Sequence, residues 1–440
     1  MQLLQHHVRP YAWGSRTAIA DLLGVPPDGE PQAEMWLGAH PDSPSSLLGS
    51  GRGGGARLDA AIAADPETLL GPVVRQGFGE RLPFLMKVLA AASPLSLQVH
   101  PTMDQARAGY AQEERDGVPQ DAAERRYKDP FHKPEMILAL TPFEALCGLR
   151  PLEETRPLLA RLDVRHQGWE PLLALIEGPN DPNDPNDSDD PNDPNDSDDS
   201  DDSDDSDDFD DAGNSDGPDD AGVLREVCAQ LLRGSGGTAL VDAVVAACTA
   251  VDEPGCRTAV ELAGNYPGDP GVVLSLLLHR VTLAPGEALY LPAGNVHAYL
   301  AGTGIEIMAA SDNVLRAGLT PKHVDVDEVL RLVDFTPAPV PRVEPQVEGP
   351  ITSYRPGAAE YELHVVRCGT VAAAVPVPVG GPRIVLCLEG RVEAVTELAS
   401  VELPRGASVF VPDAEGGLAL GGRGTAVVAA VPGVTPVLRR

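Results

Sequence analysis

Twelve residues, Gly286-EALYL-Pro292-A-Gly294-NV-His297, constrain the fold of this 440-residue chain more than any other stretch. Gly286 and Pro292 bracket one apolar strand, Gly294 supplies a turn, and His297 opens the next strand pointing inward. A surface hairpin around a core histidine is the plainer alternative, but four fixed positions at this spacing favour a histidine that binds metal inside a β-barrel. The rest of the chain keeps the same rhythm. LPFLMKVLAA, SPLSLQVHP, PEMILAL, TGIEIMAAS, RIVLCLEGRVEAV and ASVFVP are short alternating segments, with turn signals about every 8 to 12 residues, the spacing of a sandwich or barrel.

One region breaks the rhythm. Leu152 to Leu162, Trp169 to Ile176, Val223 to Leu232 and Thr238 to Val251 carry Leu, Ala and Val at helical spacing. Because β text resumes afterwards, the helices are expected to be an insertion into one β domain. Within them, residues 179–220 form an Asp-rich repeat with no apolar face. It is expected to be disordered and dispensable for chemistry. The expected fold is mainly β, with three parts. Residues 1–150 and 262–335 form a discontinuous catalytic barrel, 151–261 the helical insertion, and 336–440 a Pro-rich linker followed by a second barrel. In that last part Gly406-ASVFV-Pro412 repeats the glycine–proline spacing, but Asp413-Ala-Glu-Gly416 follows without a histidine, so no metal is expected there.

The formal net charge of −33 is mostly local, since 20 aspartates between 180 and 220 leave −13 for the remainder. A polyanion repels nucleic acid and anionic lipid, and neither is expected as a partner. The six cysteines are scattered and form no C-x-x-C pair, as in a reducing compartment. No signal-peptide pattern opens the chain, and its apolar runs are shorter than the roughly 20 residues of a membrane helix. A cytoplasmic monomer is expected.

Three other segments bring candidate ligands. In Ser96-Leu97-Gln98-Val99-His100 the polar residues fall at alternate positions and share one strand face. A Gln-x-His pair at that spacing can place an amide oxygen and an imidazole on one metal. In Tyr127-KDPFHKP-Glu135, Glu135 opens an apolar strand with its carboxylate. Two imidazoles, one carboxylate and one amide suit zinc with an open position for substrate. The four lysines, Lys87, Lys128, Lys133 and Lys322, stand among 29 arginines, and all four lie in or beside such segments.

The 286–297 segment matches the second cupin motif, G-x5-P-x-G-x2-H. Together with YAWGS at 11–15, AEMWLGAHPDSPS at 33–45, LMKVLAAASPLSLQVHP at 85–101, YKDPFHKPEM at 127–136 and IEIMAASDNVLRAGLTPKHVD at 305–325, it resembles type I mannose-6-phosphate isomerases. The resemblance implies a cupin-type catalytic domain with a helical insertion and a C-terminal jelly roll. It implies one Zn2+ per chain on Gln98, His100, Glu135 and His297, and a sugar-phosphate substrate. Catalysis is then expected from Arg316, Glu306, Lys133 and Asp312, with Ser96, Lys87, Lys322, Trp13, Glu34 and Tyr299 binding substrate. Moving a proton between C1 and C2 of a sugar needs a base, for which Glu306 is the candidate, and stabilisation of an enediolate by a Lewis acid. Arg316 can clamp a phosphate in two-pronged fashion. An Fe(II) cupin oxygenase and a non-catalytic sugar-binding cupin are the competing readings. The glutamine ligand and the cluster of cations argue against the first, and a full ligand set with a base against the second.

Overall fold

The computed structural model describes residues 1–48, 55–122, 124–178, 220–369 and 373–435. The alternating segments pair into two large sheets. The first runs in the order Arg342–Val343, Ala288–Leu291, Glu135–Ala139, His297–Ala309, Phe84–Ala91, Glu34–Gly38 and His7–Arg9. A second layer, made of Leu97–Val99, Leu315–Gly318, Phe143–Leu149 and Leu278–Leu283, curls over it and closes the barrel. The strand His297–Ala309 belongs to both layers. Its first residues pair with Gln98 and with Phe143–Leu149, and its last with Phe84–Ala91 and Glu135–Ala139.

The hinge of that strand is a bulge between Tyr299 and Ala301, followed by Gly302 at φ 121°. A Cβ at Gly302 would lie 2.7 Å from the carbonyl of Pro142. The bulge changes which way later residues point. His297 and Glu306 stand nine positions apart, so an unbroken strand would send them to opposite faces. With one residue bulged out, both face the barrel interior while Ile305 and Ile307 face outward.

The second sheet runs in the order Gln346–Glu348, Ile351–Tyr354, Glu362–Cys368, Leu418–Ala430, Arg383–Val395, Ser408–Val411, Gln2–Gln5 and Ser46–Leu48. Its own interior is filled by Val366, Val385, Leu403, Val409 and Val428. Its outer face packs on the outer face of the first sheet, with Met86, Met136, Ile305 and Ile307 meeting Tyr361, Ile384, Phe410 and Val427 in one core. Two segments expected to stay with the first barrel, Gln2–Gln5 and Ser46–Leu48, instead extend this second sheet. Leu3 pairs with Val409 and Leu4 with Leu47. Such short strands read alike at any sheet edge, so the sequence pattern does not assign them.

The helices Leu152–Leu159, Trp169–Glu177, Asp220–Leu232, Gly237–Cys248 and Pro254–Asn265 cover the barrel's second layer, burying Leu97, Val99, Ala298 and Leu315. Helix continues past the boundary expected at 261, through Gly271–Leu274 and a 3-10 turn to Leu277, before the strand Leu278–Leu283. The run GVVLSLLL is apolar on every side, and such a run reads equally well as buried helix or buried strand. The repeat at 179–219 lies outside the described residues. Among those described, no single helix is long and apolar enough to cross a membrane.

Gly14 in the YAWGS loop tests the packing of the barrel rim. A Cβ there would lie 2.5 Å from the backbone nitrogen of Ala33, which cannot move without disturbing the Glu34 strand. Gly14→Ala should therefore destabilise the protein by about 1–3 kcal/mol, the usual cost of overpacking. The measurement is the thermal midpoint, and an unchanged midpoint would mean that the loop has slack.

Candidate metal centre

Each candidate ligand owes its direction to its strand. Glu135 is the first residue of Glu135–Ala139 and sits across from Leu291 on one side and Met308 on the other. His297 opens the long strand directly opposite Gln98. Leu97 and Val99 are buried under the helices, so Gln98 between them faces the interior with His297. His100 follows at once and is fully buried.

Three of these residues, His100, Glu135 and His297, converge. His100 Nε2 lies 3.3 Å from Glu135 Oε1, His297 Nε2 lies 3.5 Å from Glu135 Oε2, and the two imidazole centroids are 5.1 Å apart. His100 Nδ1 donates to the carbonyl of Asn313 at 2.9 Å, and His297 Nδ1 to that of Asn295 at 3.0 Å. Those bonds set the tautomer, so both rings turn an Nε2 lone pair toward the carboxylate. Burial foremost holds the His100 ring neutral, taking its pKa down to about 4 against the pull of Glu135. Burial alone would raise the Glu135 carboxyl, but the neighbouring cationic Lys133 pulls the other way, and the carboxyl is held well below the ordinary range. His100 Nε2 is a buried nitrogen without a hydrogen-bond partner. Lone pairs aimed at a carboxylate are stable only with a cation among them, and the donor atoms of His100, Glu135 and His297 all lie within 4.8 Å of one another. Two imidazoles and a carboxylate fit a divalent metal.

Charged groups surround the cluster. Lys133 Nζ is 3.3 Å from Glu135 Oε1. Farther along the barrel, Lys87 Nζ lies 2.9 Å from Glu306 Oε2 and 3.7 Å from Glu34 Oε1. Burial opposes a charged Lys87, yet Glu306, Glu34 and Glu135 outweigh it and hold the ammonium protonated. Glu306 is pushed above the ordinary carboxylate range by burial, with Lys87 pulling the other way. Tyr299 packs edge-on to Phe143 at 5.3 Å, and burial beside Glu306 and Glu135 holds its hydroxyl well above its usual pKa.

The remaining expected residues sit on nearby strands and loops. Arg316 pairs across from Gln98 on Leu315–Gly318, and its guanidinium is near Tyr11. Lys322 is close enough for the charge of Arg316, with some burial, to lower its pKa. Trp13 stacks on Tyr11 at 5.8 Å, while Ser96 follows Leu95, whose amide donates to the Tyr299 carbonyl at 2.8 Å. Asp312 is about a third exposed and reaches His40.

Four supporting residues are not singled out by spacing. Asn313 is fully buried; its side chain donates to the carbonyls of Asp129 and Phe131 at 2.7 and 2.8 Å while its own carbonyl holds His100. Asp129 accepts from the Ser311 hydroxyl and the Asp312 amide, both at 2.8 Å. Trp36 donates its indole N–H to Glu34 at 2.7 Å. Glu360, from the C-terminal part of the chain, meets His132 at 2.7 Å. Asn313, Asp129 and Trp36 lie inside the quoted motifs, which is the one signal that could have found them; Glu360 has none.

Comparison with known proteins points one way. Residues 1–152 match the family model described as phosphomannose isomerase type I, catalytic domain. The mannose-6-phosphate isomerase of Escherichia coli (strain K12) is 40% identical over 344 residues, covering 77% of this chain and 76% of that protein. The Bos taurus mannose-6-phosphate isomerase is 31% identical over 430 residues, covering 92% and 91%. A crystal structure of the Salmonella typhimurium mannose 6-phosphate isomerase bound to substrate and zinc superposes with a TM-score of 0.81 at 32% identity, covering 98% of this chain and 99% of that one.

Proposed function

The chain belongs to the type I mannose-6-phosphate isomerases, and we propose that the pocket around Glu135 carries their reaction, the interconversion of mannose 6-phosphate and fructose 6-phosphate, with one zinc ion per chain. The observation that carries this reading is the pair of imidazole nitrogens aimed at one buried carboxylate. His100, Glu135 and His297 would hold the ion, with the Gln98 amide as fourth ligand from the strand opposite His297. Bound there, zinc supplies Lewis-acid stabilisation of the negative charge that develops on the sugar's O1 and O2.

The chain's own groups divide the remaining work. Glu306 is the carboxylate that takes the proton from carbon, and Lys87, kept charged, holds that carboxylate ionised until it accepts the proton. Lys133 adds a cation beside Glu135. Arg316 and Lys322 bring two positive charges to the approach, where a phosphate would anchor the far end of the substrate. Asp312 is the acceptor for a sugar hydroxyl at the opening. Trp13, Glu34, Ser96 and Tyr299 shape the walls. The six unpaired cysteines and the charge of −33 support a cytoplasmic protein that engages neither nucleic acid nor membrane, and we read it as a monomer.

The test is a coupled assay for fructose 6-phosphate from mannose 6-phosphate, run with metal analysis before and after chelation. One zinc per chain, loss of turnover with its removal and recovery on adding it back are expected. The same three donors could also hold Fe(II), so stoichiometric iron with no isomerase turnover would replace this reading with that of an oxygenase.

A further inference from the structure

Asp312 reaches the pocket on a backbone that is already fixed. Its amide donates to Asp129 Oδ2 at 2.8 Å, and its neighbours Ser311 and Asn313 bind the same loop. What the backbone does not fix is the carboxylate, which at 34% exposure retains a choice of rotamers. Among the described residues, a single side chain meets it: His40, whose Nε2 lies 3.3 Å from Oδ1.

His40 has little freedom of its own. It is 4% exposed. Its Nδ1 accepts from the Asp42 amide at 3.3 Å, and its ring stands edge-on to Trp36 at 5.2 Å and 89°. Trp36 is in turn pinned by its bond to Glu34 and lies under the Lys87 ammonium at 5.0 Å. A ring that accepts at Nδ1 carries its proton on Nε2, the nitrogen that faces Asp312. His40, Asp42 and Asp312 have the spacing of a cation site, but Nδ1 already accepts from the Asp42 amide and Nε2 then carries the proton, so neither nitrogen has a lone pair to offer.

We infer that His40 is a positioning residue for the isomerisation: donating from Nε2, it fixes the Asp312 carboxylate in the rotamer that meets the substrate, and Trp36 fixes His40. The inference rests on the assignment of Asp312 to the reaction. A carboxylate free to rotate spends part of its time out of reach. Losing the restraint should lower kcat by about 10- to 100-fold, in line with the cost of small misplacements of a reacting group.

The test uses the full-length, zinc-loaded chain with His40→Gln, His40→Asn, His40→Leu, Asp312→Asn and the His40→Leu/Asp312→Asn pair. Glutamine puts an N–H where imidazole Nε2 stands, whereas asparagine is too short. His40→Gln should recover most of the kcat that His40→Asn and His40→Leu lose, with equal zinc content and thermal midpoint. In the Asp312→Asn background, His40→Leu should cost nothing further, because the two residues act as one unit. Equal losses in both backgrounds, or a glutamine variant no better than asparagine, would overturn the inference while leaving Asp312 in the reaction. Wild-type turnover in Asp312→Asn would remove Asp312 from the reaction and His40 with it. If His40→Leu does not fold, the glutamine–asparagine comparison decides alone.

Discussion

His297→Ala should leave a folded chain that retains no stoichiometric zinc and turns over at less than about one hundredth of the wild-type rate, since even residues that only support a metal ligand cost 10- to 100-fold. The imidazole is held at both ends. Its strand pairing sets the backbone, and the Asn295 carbonyl sets the ring, so no neighbouring group can swing in to replace it. The fold should survive, because the strand's most extensive pairing, with Phe84–Ala91 and Glu135–Ala139, lies downstream of the bulge, from Gly302 to Ala309. Metal analysis together with the coupled assay reads both quantities. Stoichiometric zinc with wild-type turnover would mean that the metal sits elsewhere.

Lys87→Met should be nearly as damaging, with an unusual pH signature. Its ammonium is the only cation within ion-pair distance of Glu306 among the described residues, and it serves Glu34 as well. Breaking a buried pair by removing one partner costs about 3–5 kcal/mol, because the other charge stays behind without compensation. Glu306 is already raised by burial. Without Lys87 it rises further and holds its proton at neutral pH, and a protonated carboxyl cannot act as base. Turnover should fall by more than about 100-fold and recover partly as pH rises. Stability should move oppositely. A carboxyl whose pKa is higher folded than unfolded binds more protons in the native state, so its contribution is intact below the ordinary value of 4.5 and is lost as pH rises through the folded value. The variant should therefore gain activity and lose thermal stability over the same rise in pH. Parallel trends would show that Glu306 is not the group responsible.

Much of this is legible in the sequence because strand period two is a strong code. The segment 286–297 announces a strand, a turn and an inward histidine, and it forms them. Glu135 reads as the opening of a strand, and it opens one. Ile305 and Ile307 are enough to put Glu306 on the other face. What spacing cannot show is that His297 and Glu306 face the same barrel interior. That depends on one bulged residue near Leu300, and bulges leave no regular mark on the apolar pattern. The helical stretch to Leu277 is hidden for a related reason, since a uniformly apolar run has no period to read. Contacts such as His40 with Asp312 and His132 with Glu360 join residues hundreds of positions apart, where local propensity carries no information.

The placement of Gln2–Gln5 beside Ser408–Val411 also matters to a chain still being synthesised. The first strand made has Ser46–Leu48 for one neighbour, but its other neighbour is among the last made, some 400 residues later. At about 5–20 residues per second the ribosome needs roughly 20 to 80 s to deliver it, while hairpins close in microseconds. Local pairs of the metal-binding barrel therefore have ample time to form first, while the other edge of Gln2–Gln5 waits unpaired. During that interval the nascent chain offers an unpaired apolar edge to any chaperone or neighbouring polypeptide within reach.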